Sequence, residues 1–130
     1  MSLNDPLAKA LNALHQAENA GKAEVQMRPT SKIILSVLAL LKSEGYIAKY
    51  EHIDDGKGGV VIVTLNGTIN KVGVVKPRFS VKAEDIEKYE KRYLPARNFG
   101  LLIVSTTTGL VNQHSAKQNK QGGTLIAYVY

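Results

Sequence analysis

Four hydroxyl side chains stand in a row at Ser105-Thr106-Thr107-Thr108, closed by Gly109 and preceded by the apolar run Leu101 to Val104. Their chemistry is recognition. A hydroxyl donates one hydrogen bond and accepts two, whereas a lysine only donates and a carboxylate only accepts. Such a row suits a partner that sets donors and acceptors side by side, as RNA does with the ribose hydroxyls and base edges of its wide, shallow minor groove. The same row also fits a turn filled with serine and threonine. Two neighbours favour the interface. The Gly122-Gly123 pair opens the last apolar stretch and lets backbone come close to a ligand. The forty residues after Glu90 contain no Asp or Glu, with Arg97, Lys117 and Lys120 among their bases, so nothing there repels phosphate.

A second polar group is Arg28, Thr30, Ser31 and Lys32, where two hydroxyls and two bases surround a helix start whose free N–H groups favour anions. An N-cap with solvated bases accounts for these residues equally well. Tyr128 and Tyr130 offer faces on which bases stack, although a final strand would use them for packing.

Catalytic and metal chemistry finds no support. His15, His52 and His114 lie far apart, outside any metal-ligand or catalytic spacing. The acidic set Glu84, Asp85, Glu87 and Glu90 reads as a solvated helix face, with Glu84 four before Lys88 and Glu87 four before Lys91. Gly56-Lys57-Gly58-Gly59 lacks Walker A spacing, and Val61 stands where a dinucleotide fingerprint needs glycine. Absence of cysteine removes disulfides, thiol nucleophiles and thiolate metal sites. The expectation is a non-enzyme without metal, cofactor or small-molecule substrate.

At 130 residues and 44% hydrophobic, the chain has material for one ordinary domain or two very small ones. A formal charge of +6 favours a polyanionic partner. It is unevenly placed: residues 1–66 hold seven bases and seven acids, residues 67–130 ten and four. The longest apolar stretch, Ile33 to Leu41, is far short of the roughly 20 residues that span a bilayer, and the N-terminus has no signal-peptide pattern. No membrane partner is expected, and a cytoplasmic location is.

The elements needed to position these residues are legible in outline. Asp5 as N-cap, Pro6, and Leu3, Leu7, Leu11 and Leu14 at helical spacing predict a first helix ending at Gly21. A short strand over Ala23 to Arg28 is closed by Pro29. A second helix starts at Thr30 or Ser31, turns Ile33, Ile34, Val37, Leu38 and Leu41 inward, and stops at Gly45. Tyr46 to Ile53 reads as a strand with Tyr46, Ala48 and Tyr50 on its apolar face; a turn then leads to the β-branched run Val60 to Leu65. Asn66-Gly67 is the expected boundary. Beyond it come a strand from Val72 to Lys76, a surface helix Ala83 to Tyr93 with Ile86, Tyr89 and Tyr93 inward, the strand Leu101 to Val104, Leu110-Val111, a helix within Asn112 to Lys120, and a final strand. In that strand Leu125, Ala127 and Val129 alternate with Thr124, Ile126, Tyr128 and Tyr130. The predicted class is α+β, with two small domains. Residues 1–66 form a helix-strand-helix-strand-strand unit, and residues 67–130 a strand-rich RNA-reading unit with short helices.

Asp5-Pro6-Leu7, Arg28-Pro29-Thr30-Ser31-Lys32-Ile33, Glu44-Gly45-Tyr46-Ile47, Asn98-Phe99-Gly100, Ser105-Thr106-Thr107-Thr108-Gly109 and Gly122-Gly123-Thr124 fall in one order along the chain. In this order and spacing the chain resembles the family of the eighth small-subunit ribosomal protein over essentially its whole length. Pro77-Arg78-Phe79 and Leu94-Pro95-Ala96-Arg97 look like the archaeal and eukaryotic branch. Thr107 departs from the common bacterial motif, which has a second serine, but keeps the hydroxyl. The resemblance implies a two-domain constituent of the small ribosomal subunit that binds an irregular helix in the central domain of its RNA and assists assembly beside neighbouring ribosomal proteins. It further implies that Ser105, Thr106 and Thr107 meet bases and riboses near Gly122 and Gly123, while Thr30, Ser31 and Lys32 hold the backbone of the same RNA. On this reading Thr106→Ala weakens selective binding and Lys32→Ala weakens all binding. A regulatory structured-mRNA binder acting outside the ribosome is the rival, separated by comparing RNA targets. A basic module for an acidic protein is a third reading, for which the hydroxyls are dispensable.

Overall fold

The computed structural model describes residues 6–27, 32–54, 56, 59–75, 80–95 and 99–130. Asp5, Arg28, Thr30, Ser31, Lys76, the segment 77–79 and residues 96–98 lie outside the described residues. The chain divides into two units, the first reaching Val72 and the second running from Gly73 to Tyr130.

In the first unit, α1 (Pro6–Asn19) and α2 (Lys32–Ser43) accompany three antiparallel strands, β1 (Glu24–Met27), β2 (Ile47–Ile53) and β3 (Val60–Leu65), in the order β1-β3-β2. Leu7, Leu11 and Leu14 of α1 and Ile34, Leu38 and Leu41 of α2 recur at i, i+4, i+7 and are almost wholly buried. Each contributes about 2 kcal/mol on leaving water. Val61, Val63 and Leu65 carry the inner face of β3. The Asn66-Gly67 turn is tied back into this unit. The Asn66 side-chain amide donates to Gly45 O at 3.1 Å, Thr68 Oγ1 reaches Tyr46 O at 3.1 Å, and the Ile69 N–H donates to Glu18 at 3.2 Å.

β2 departs from the expected alternation. Its register pairs Ile47 with Leu65 but Lys49 with Thr64, so Ala48 is an extra residue in a β-bulge. Ile47 is therefore buried and Ala48 exposed, and the inner face is Ile47 and Tyr50 rather than Tyr46, Ala48 and Tyr50.

The second unit holds a five-stranded sheet built from β4 (Val72–Val74), β5 (Ser80–Val81), β6 (Leu101–Thr106), β7 (Gly109–Asn112) and β8 (Gly123–Val129). The order is β4-β8-β6-β7, with β5 also paired to β8. A 3-10 turn at Ala83–Asp85 leads into α3 (Ile86–Tyr93), and α4 (Gln113–Gln118) follows β7. Ile86 of α3 and Ala116 of α4 join Leu102, Val104 and Leu125 in one apolar cluster. Leu101, Ile103, Ala127 and Val129 share the opposite face of the sheet and are equally buried.

A second bulge corrects the expected pattern of β8. Ile103 pairs with Ala127 and Val104 with Leu125, which leaves Ile126 as the extra residue. Leu125 and Tyr128, three apart, thus lie on the face that meets α3 and α4, and Ala127 and Val129 on the other. Tyr128 stacks on Tyr93 with centroids 5.6 Å apart and on Tyr130 at 6.4 Å, so both tyrosines pack at the core margin.

Candidate nucleic-acid interface

Leu101 to Val104 is sealed on both faces, and the hydroxyl cluster lies where that strand leaves the core. Thr106 pairs with Gly109 across a turn formed by Thr107 and Thr108, both exposed. Neither turn residue has positive φ, so this is not one of the primed turns that suit two-residue hairpins; Gly109, at φ 122°, supplies the twist instead. The Thr106 hydroxyl is used within the turn: it donates to Gly109 O at 2.9 Å, accepts from the Thr108 N–H at 3.2 Å, and lies 3.0 Å from the Thr108 hydroxyl. Thr106→Val keeps the shape and removes these bonds, and is expected to lower stability by about 1 kcal/mol in a urea titration. No partner among the described residues takes the hydroxyls of Ser105 and Thr107.

The register adds two residues to the cluster. Thr124 of β8 pairs with Ser105 on one side and with Ser80 of β5 on the other. Directly opposed residues of antiparallel strands project from the same face, so Ser80, Thr124 and Ser105 form a hydroxyl row across three strands. The face that carries Ile103 and Ala127 in the interior thus turns polar at its end. The Gly122-Gly123 pair makes this spacing possible. A Cβ on Gly123 would fall on the Ser105 carbonyl oxygen, and one on Gly122 would stand 2.6 Å from Val81 O.

A buried polar network fixes the start of β6, at the other end of the strand from Ser105. Gln113, fully buried, accepts from the Leu102 N–H at 2.9 Å and donates to Gly100 O at 3.2 Å and to Glu90 at 3.4 Å. Glu90 in turn binds the Lys117 ammonium at 2.5 Å. Glu90 is therefore not part of a solvated acidic face. It lies on the stripe of Ile86 and Tyr93, four and three residues away, and this was its readable signal. Gln113 had none: a glutamine in a six-residue helix has no pattern that marks it as buried.

Bases line a groove at the same end of the sheet as the row. Its walls are Lys82, Ala83, Glu84, Lys117 and Lys120, and its volume is about 510 Å³. α1, α2 and α4 end in the same reversal, with an N–H five residues back to a carbonyl: Lys22 to Ala17, Tyr46 to Leu41, Gln121 to Ala116. The first two place Gly21 and Gly45 at positive φ, whereas α4 places Lys120 there, at φ 54°, at a cost of about 1 kcal/mol. Lys32 is exposed at the start of α2 in the first unit, and Arg28, Thr30 and Ser31 lie outside the described residues. Ser105, Thr106, Thr107, Gly122 and Gly123 come together; Ser80 and Thr124 are the members that strand pairing adds.

Among the described residues no group of three His, Asp or Glu converges as a metal site, and no helix is long and apolar enough to cross a membrane. What remains is a hydroxyl-bearing sheet end bordered by lysines, an arrangement that recognises by hydrogen bonds and attracts by charge. A family model described as ribosomal protein S8 matches residues 5–130. With nearly the whole length matched, the chain belongs to the ribosomal protein S8 family, whose members are structural, RNA-binding constituents of the small ribosomal subunit rather than enzymes.

Proposed function

We propose that the hydroxyl row and the hairpin beside it read an irregular helix in the central domain of the small-subunit ribosomal RNA, and that this binding helps fix the region during assembly. The supporting observation is the position of Ser105, Thr124 and Ser80 at the polar end of a strand set whose interior is sealed. Ser105 and Thr107 contact bases and riboses directly. Thr106 acts through the turn that its hydroxyl closes, and Gly122 and Gly123 keep three strands close enough to form the row. Arg28, Thr30, Ser31 and Lys32 hold phosphates of the same RNA at the start of α2. The segments Pro77-Arg78-Phe79 and Leu94-Pro95-Ala96-Arg97 favour the archaeal and eukaryotic branch of the family.

Selection and attraction are separate contributions. Hydroxyls select an RNA shape; lysines and arginines supply a salt-dependent attraction blind to sequence. The test titrates the protein against a short irregular helix from the central domain and against a regular duplex of equal length, at low and physiological salt. Ser105→Ala with Thr107→Ala is expected to weaken binding to the irregular helix about 30-fold, the loss of two hydrogen bonds, and to leave the duplex unchanged. Lys32→Ala should weaken both. Equal, salt-sensitive binding of both RNAs by the unaltered protein would mean that charge alone is at work.

A further inference from the structure

We infer that the groove lined by Lys82, Lys117 and Lys120 holds one phosphodiester of the bound RNA, at the same end of the sheet as the hydroxyl row. This rests on the RNA-reading role proposed for that row and adds a backbone subsite to it. Continuity comes from the chain itself. Lys82 follows Val81, which pairs with Gly123, and a Cβ on Gly122 would stand 3.2 Å from Lys82 Cα. Lys120 precedes Gly122 by two residues. The groove and the Ser80–Thr124–Ser105 row therefore lie at the same end of the sheet, the groove on the side of α4 and the row on the other face, joined along the chain through Gly122 and Gly123.

Charge sets the ligand class. Three ammonium groups meet Glu84 on the groove wall and Glu90 behind Lys117, which leaves a net charge of one. That matches a phosphodiester, which carries one negative charge; a terminal phosphate or a polyphosphate carries more. Lys117 is held in place by Glu90, and its side chain keeps 34% exposure, so it enters the groove already oriented. Lys120 occupies a left-handed position where glycine would sit without strain. Strain of this kind at a binding surface is a pointer to function.

The experiment measures affinity for the central-domain helix as a function of KCl for the unaltered protein and for Lys82→Ala, Lys120→Gly and, as a charge-matched control on the exposed face of α3, Lys88→Ala. Loss of one phosphate contact lowers the log–log salt slope by about 0.7 to 1. That drop is expected for Lys82→Ala and for Lys120→Gly, and not for Lys88→Ala. Lys120→Gly is expected to melt higher than the unaltered protein while binding more weakly, a pairing that a purely structural lysine would not produce. Equal slope changes in all three variants, or no change in the groove variants, would overturn the subsite while leaving selective binding through Ser105 and Thr107 intact. Failure of the unaltered protein to prefer the irregular helix would overturn both readings.

Discussion

Gly123→Val is expected to cost the second unit about 3 kcal/mol or more, read as a lowered urea midpoint with an unchanged slope. A Cβ at this position would land on the Ser105 carbonyl oxygen and within 3.1 Å of Val104 Cγ1, both on β6. Neither atom is the end of a flexible side chain, so relief requires β8 to move away from β6, and the ladder bonds between them weaken together. Gly109→Ala makes the informative contrast. No atom lies within 4 Å of a Cβ there, so only the backbone preference at φ 122° is lost, about 1 kcal/mol. Gly123→Val should also abolish preference for the irregular helix, because Ser105 and Thr124 would no longer lie side by side. A Gly123→Val protein as stable as the Gly109→Ala protein would show that the two strands can part without loss.

Gln113→Leu is the second large effect. The change preserves bulk and removes an acceptor and two donated bonds from the interior. The Leu102 N–H, the Gly100 carbonyl and one oxygen of Glu90 lose that partner. At about 1 kcal/mol or more for each buried group left unpaired, a loss of about 3 kcal/mol is expected. Glu90→Gln introduced into the Gln113→Leu protein should recover part of it by removing the charge, and this non-additivity is the signature of a shared network. Faster hydrogen exchange at the Leu102 amide would locate the damage. A loss below about 0.5 kcal/mol, or strict additivity, would mean that Gln113 only fills space.

α1, α2 and α3 were legible because their apolar residues recur at three and four, and α1 and α2 follow the leucine stripes; α4 has one apolar residue, Ala116, and no such stripe. The strands were legible as strands but not as faces. In β2 and in β8 one extra residue, Ala48 and Ile126, shifts the register, so Ile47 with Tyr50 and Leu125 with Tyr128 share a face at a spacing of three that alternation cannot produce. A bulge is decided by the partner strand, which local sequence does not contain. The hydroxyl cluster stood out by composition alone. Which hydroxyl is used internally depends on the turn, and the turn depends on Gly109 taking a conformation that Thr107 and Thr108 do not. Ser80 joins the site from 25 residues away through its pairing with Thr124, a relation that only the folded sheet expresses.

β8 is the last strand in chain order, yet it lies at the middle of its sheet, with β6 along one edge and β4 and β5 along the other. During synthesis, then, the β6–β7 hairpin can close by itself, but β4 and β5 have nothing to pair with until β8 has emerged. The hydroxyl row likewise does not exist on a nascent chain that stops short of Thr124, because one of its three members is missing and the other two are on strands that do not touch. Competence to select an RNA therefore arrives as a single event, the making of β8, after all 17 lysines and arginines of the sequence have been made. Until that event the chain can be attracted to RNA in general and can discriminate none in particular.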